Sequence, residues 1–121
     1  MRRPETKSNE SAVVAKALTK AAGEMKLSQA DLAKIMKVDR STLSRSLKAG
    51  IDPHSLRGEV SLMIIRIYRS LFALSGSDSG FKSHFLRTKN KYFDGKPIDV
   101  MQSMEGLVMV NNYLDAMRGK V

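Results

Sequence analysis

Residues 27–50, LSQADLAKIMKVDRSTLSRSLKAG, leave room for two short helices with almost nothing between them. Ser28 can cap the first, with Asp31 three residues on as its capping-box partner. Leu32, Ala33 and Met36 carry that helix forward until KVDR breaks it. Asp39 or Ser41 can cap a second helix, in which Leu43 and Leu47 sit at i, i+4 and Gly50 ends the run. Helices joined this tightly cross steeply. The crossing needs a small side chain at closest approach and apolar residues to lock the pair. Ala33 supplies the first; Leu32, Val38, Leu43 and Leu47 supply the second. One position resists. The turn residue is Lys37, and a left-handed backbone there costs a side chain about 1 kcal/mol that glycine does not incur.

The rest of the chain also reads as helix. Before this stretch Val13, Val14, Ala17, Leu18, Ala21 and Met25 form one apolar stripe, preceded by a polar, charged run expected to be a flexible arm over residues 1–10. Pro53 disfavours helix at Asp52, so IDPHSLRGE is a connector. A long apolar helix follows, from about Leu56 or Glu59 to Leu74, with apolar residues around most of its circumference, and is expected to be central to the fold or to an oligomer. SGSDSG, residues 75–80, is a loop, and 81–88 a further helix. Asp94-Gly95 is a turn, Pro97 opens a short helix, and a last helix runs from about Glu105 to Arg118. Nothing alternates with period two, so the fold class is all-α. The expected division is an arm over 1–10, a helix-turn-helix unit over 11–54 and a small helical domain over 55–121.

The outer face of the second short helix carries Arg40, Ser41, Thr42, Ser44 and Arg45, hydroxyls and arginines that suit phosphates and base edges. Ser28 and Gln29 stand at the N-terminus of the first, where backbone N–H groups can meet a phosphate. The charge agrees. The chain carries a net +9. Residues 1–50 hold 11 Lys and Arg against 5 Asp and Glu, a net +6, and residues 51–121 hold 10 against 7, a net +3. A basic excess concentrated in the half with the steep crossing points to a polyanion there, and DNA is the expected partner.

The remaining half offers no catalytic constellation, so no enzyme activity, metal or cofactor is expected. There are no cysteines and two histidines. His54 sits in the connector and is expected to be exposed. His84, between Phe81 and Phe85, is expected to be a partly buried structural residue, with no carboxylate cluster at metal spacing near it. Asn90 and Gly95 are candidates for left-handed conformations in a tight turn. Ser103 is a cap for the last helix, and Gly106 allows close approach in its first turn. The longest apolar run, Leu62 to Ile65, is too short to cross a bilayer, and MRRPETKSNESAVV lacks the apolar segment of a signal peptide, so a cytoplasmic location is expected.

Residues 27–50 resemble the helix-turn-helix of the Xre, or Cro/repressor-like, family in the placement of the small alanine, the valine opening the turn and the Ser-Thr-Leu-Ser-Arg run. Residues 81–114 resemble the toxin-binding domain of Xre/MbcA/ParS antitoxins. Phe85, Leu86, Asn90, Phe93, Gly95, Pro97, Asp99, Met101, Ser103, Gly106, Val110 and Leu114 carry that likeness. The Met-rich tail, with Met101, Met104, Met109 and Met117, departs from it, which bears on packing. The resemblance implies an antitoxin that represses its own operon through residues 40–45. It also implies that the antitoxin blocks an NAD-consuming toxin, a RES-domain protein in preference to a ParT-like ADP-ribosyltransferase, and forms a homodimer through its C-terminal half. Lys89, Lys91, Asn111, Asn112, Arg118 and Lys120 are the residues expected to be free to meet the toxin, and the tail over 114–121 is the expected blocking element. The competing reading is a phage-type repressor whose C-terminal half only dimerises. A neighbouring gene for a small NAD-consuming protein separates the two.

Overall fold

The computed structural model describes the backbone of residues 4–119 and the side chains of residues 9–119. Its helices are α1 (Pro4–Glu24), α2 (Gln29–Met36), α3 (Arg40–Ala49), α4 (Leu56–Ser75), α5 (Ser79–Arg87), α6 (Pro97–Val100) and α7 (Met104–Gly119). Local chemistry three residues deep starts most of them. Ser28 and Asp31 close a reciprocal box at α2, each bond 3.0 Å. Asp39 accepts from the Thr42 N–H at 2.6 Å, so it, and not Ser41, caps α3. Ser55 accepts from Gly58, Asp78 from Phe81 and Ser103 from Gly106, and Pro97 opens α6.

The segment expected to be a flexible arm over residues 1–10 is helical from Pro4 onward. Residues 1–3 lie outside the described residues. α1 is also packed more extensively than a single stripe requires. Val14, Ala15, Leu18, Ala21, Ala22 and Met25 are buried, while Val13, expected on the apolar stripe, is 65% exposed. The stripe is real but turned by one residue, because α1 is covered on two sides, by α3 and by α4. The connector fastens it further. The Ile51 N–H donates to the Ser11 carbonyl at 3.0 Å, and Ile51 itself is buried.

α4 lies between α1 and α7 and is the centre of the fold. Ile64, Ile65, Ile67 and Leu71 are buried in it together with Ser61 and Ser70, small side chains that let its neighbours approach closely. Its contacts with α7 advance in the same direction along both helices: Met63 with Asn111, Arg66 with Asp115, Ser70 with Arg118. The two therefore run parallel, and the chain between them, α5 and α6, closes the crossover. α4 is not covered all round, since Leu56, Leu62 and Phe72 are exposed.

Lys82 is fully buried, and its ammonium is held by carbonyl oxygens. It donates to the Gly76 carbonyl at 2.6 Å and the Asp78 carbonyl at 3.2 Å, and stands 5.3 Å from the centre of the Phe72 ring. A lysine held by carbonyls and a ring face satisfies the loop that reverses the chain after α4. Lys37 does adopt the left-handed conformation, with φ 58° and ψ 44°. Replacing it with glycine is therefore expected to stabilise the fold by about 0.5–1 kcal/mol in urea denaturation. A loss of stability would show that the lysine side chain contributes more than its backbone costs.

Candidate nucleic-acid and partner interfaces

α2 and α3 meet as the crossing requires. Leu32, Ala33 and Leu43 are buried at the joint, and Val38 and Leu47 pack against them half-buried. The other face of α3 is left outward, with Arg40, Ser41 and Arg45 exposed and Thr42 and Ser44 half-buried. Arg45 donates through Nη2 to the Thr42 hydroxyl at 3.2 Å, which steadies the guanidinium on this face. Hydrogen bonds from Thr42 hold the Asp39 carboxyl below its ordinary range, so the cap is charged at neutral pH.

Gln29 is exposed at the first position of α2. The turn it begins already contains a carboxylate. Burial pushes Asp31 up, but hydrogen bonds from the Ser28 backbone and from Arg87 outweigh it and hold the group below the ordinary aspartate value. Three exposed cations flank this surface: Lys34 on α2, Lys37 in the turn and Lys48 on α3. The sequence motif does not single them out as contacts.

The second candidate surface is built on the α5–α6 turn and α7. Asn90 and Gly95 pair across the turn, with N–H to carbonyl distances of 2.9 and 3.4 Å. The left-handed residue is Asp94, φ 55°, and neither Asn90 nor Gly95. The Asn90 side chain instead accepts from the Tyr92 N–H at 2.8 Å, which fixes the turn without a glycine conformation. Phe85, Tyr92, Phe93 and Tyr113 form a ring cluster with centroids 5.0–6.1 Å apart. Beside it lies an open hollow of about 230 Å³ lined by Tyr92, Asn112, Tyr113, Ala116 and Met117.

The residues expected to meet a partner divide here. Lys89, Lys91 and Asn112 are exposed around that hollow's turn and helix. Asn111 is not available: it is buried between α4 and α7, where its amide donates to the Met63 and Leu107 carbonyls at 3.3 and 3.0 Å. It falls on the stripe of Leu107 and Leu114, at i+4 and i−3 of them, so helical period separates it from Asn112 and only its polar side chain suggested exposure. Arg118 is exposed but donates to Ser70 at 3.3 Å, and Lys120 lies outside the described residues. His84 is exposed, contrary to the structural role expected of it; His54 is exposed as expected, 3.9 Å from Glu10. Among the described residues no cluster of three or more His, Asp or Glu could hold a metal ion, and no helix is long and apolar enough to cross a membrane.

Two models of known families match the chain. Residues 6–57 match the antitoxin Xre-like helix-turn-helix domain, and residues 70–120 match the antitoxin Xre/MbcA/ParS C-terminal toxin-binding domain. α4 begins within the first match and ends within the second. No curated protein sequence matches the chain. With both halves matched in order, the chain belongs to the Xre/MbcA/ParS antitoxins and is the antitoxin of a toxin–antitoxin system.

Proposed function

We propose that this antitoxin represses its own operon through α3 and neutralises an NAD-consuming toxin of the RES type through its C-terminal half. The observation that carries the reading is the pairing, in one chain, of an exposed Arg/Ser face on α3 with a half that matches a toxin-binding domain. Gln29, Arg40, Ser41, Thr42, Ser44 and Arg45 are the DNA contacts in this reading. The toxin contacts in this reading are Lys89, Lys91, Asn112, Arg118 and Lys120, of which Asn112 lines the Tyr92–Tyr113 hollow. A site that binds a dinucleotide is itself rich in positive charge or N–H donors. A chain of net +9 therefore blocks it by bulk, or by pairing lysine and arginine with carboxylates at its rim. Co-expression with the adjacent open reading frame tests this. Growth rescue with restored cellular NAD supports a RES toxin. Rescue with loss of ADP-ribosylated protein assigns the ParT-like class instead, and no rescue leaves a repressor.

The blocking element in this reading is the tail over residues 114–121. Asp115 pairs with Arg66 and Arg118 with Ser70, so α7 is anchored to α4 up to that point. Deleting residues 119–121 leaves both contacts in place. The shortened protein is expected to fold with unchanged melting temperature and to lose protection at least tenfold in a titrated co-expression assay, about 1.4 kcal/mol of binding. Full protection would move the contact to the Lys89–Asp99 turn.

A homodimer is part of the same reading, because one short recognition helix gives little contact and a two-fold operator needs two. Most of α4 is consumed inside the fold, so the seam must use what remains apolar outside. Leu62, one turn before Arg66, and Val108, two turns before Asp115, share the flank of the α4–α7 pair and are 45% and 43% exposed. Sedimentation is expected to give a dimer at micromolar concentration and a monomer after Leu62→Lys with Val108→Lys. A wild-type monomer would remove the seam.

A further inference from the structure

We propose that Arg87, which belongs to the toxin-binding half, is a positioning residue for DNA binding: it holds the helix pair α2–α3 in place without touching the operator. The proposal rests on the reading that α3 binds DNA. Arg87 is the last residue of α5 and lies within the toxin-binding match, whereas its partners lie within the helix-turn-helix match. One nitrogen, Nη2, donates at 2.9 Å to the Lys26 carbonyl and at 2.9 Å to the Asp31 carboxylate.

These two acceptors are the two ends of one turn. Lys26 links α1 to α2 in a left-handed conformation, φ 56°, which a lysine adopts only when its surroundings hold it there. Asp31 is the carboxylate that also receives the Ser28 N–H and so closes the α2 cap. A single guanidinium therefore fixes the entry into α2 and its first turn together. The seam at this point is not an apolar one. It is an open cleft of about 180 Å³ whose lining is mostly charged or polar: Asp31, Lys34, Arg87, Lys96, Asp99 and Gln102, with Ile98.

The far end of α2 is held separately, where Met36 meets Ser61 of α4. With Arg87 present α2 is pinned at both ends. Without it, α2 can pivot about Met36, and α3 follows through the Ala33 crossing. A recognition helix displaced by a fraction of its side-chain reach loses base contacts while the protein stays folded.

The test uses the full-length protein and a labelled duplex of the DNA upstream of its own reading frame, titrated by fluorescence anisotropy over a range of salt. Wild type binding the duplex is required; its failure to bind overturns the operator reading and this proposal with it. Arg87→Ala is expected to weaken binding roughly three- to tenfold, the scale of a charged hydrogen-bonded pair. Helical circular dichroism and toxin affinity should be unchanged. The slope of log affinity against log salt should also be unchanged, because no phosphate contact is lost. Asp31→Asn combined with Arg87→Ala should lose less than the sum of the two single losses, since the two share the Arg87–Asp31 link. If Arg87→Ala does not fold, Arg87→Gln takes its place with the same expected loss. An affinity within about twofold of wild type overturns the proposal. So does a salt slope reduced by about one, which marks Arg87 as a direct phosphate contact.

Discussion

Replacing Arg40 and Arg45 together with alanine is expected to abolish sequence-specific operator binding while leaving the fold intact. Both side chains are exposed on α3, and the hydrogen bond at stake is the surface contact from Arg45 to Thr42. Stability should therefore change by less than about 0.5 kcal/mol. An arginine that reads a guanine edge contributes about 1–3 kcal/mol of discrimination, so the pair should lower specific affinity at least roughly thirtyfold. Non-specific binding should survive in weakened form, carried by the remaining exposed lysines of the helix-turn-helix unit, Lys34, Lys37 and Lys48. Footprinting at low and physiological salt separates the two. A normal footprint from the double variant would remove α3 as the recognition helix.

The second large effect is expected at Gly106, in the first turn of α7. A Cβ there would fall on the backbone carbonyl oxygen of Val100 and come within 2.6 Å of its carbon. The obstacle is main chain at the end of α6, so no rotamer relieves it. Gly106→Ala is expected to cost about 3 kcal/mol or more, and to lower the melting temperature by roughly 10 °C. Protection against the toxin should fall with the folded population. Gly23 supplies the control. It sits near the end of α1, where an added methyl group would meet nothing within 4 Å, so Gly23→Ala is expected to be neutral or stabilising by about 0.5–1 kcal/mol. Equal melting temperatures for Gly106→Ala and wild type would mean that α6 and α7 can separate freely.

The order and type of the helices were legible in the sequence because their signals are short. Ser28 with Asp31, Asp39 with Thr42, Ser103 with Gly106 and Pro97 at a helix start act over three residues or fewer, so composition at the boundary decides the outcome. The α2–α3 joint was legible for the same reason: Ala33, Leu43 and the turn lie within a few residues of one another. Even the strained Lys37 could be anticipated, since the motif geometry demands a left-handed residue whatever side chain occupies it. The outward face of α3 followed once its buried face was known.

Tertiary structure decided everything that depends on distant chain. Asn111 lies on the apolar stripe of α7 by helical period, but that its amide is satisfied there depends in part on the Met63 carbonyl, 48 residues away in sequence. The reversal after α4 surrounds Lys82 with carbonyls and the Phe72 ring, a setting built from both ends of the loop. Val13 reads as core, but the two helices covering α1 set its buried face one residue away. Arg87 and Asp31, 56 residues apart, carry no local sign of their bond. Caps and turns are fixed by neighbours the chain cannot avoid. Burial and long-range pairing are fixed by which helix faces meet, and the hydrophobic effect that drives them is indifferent to sequence distance.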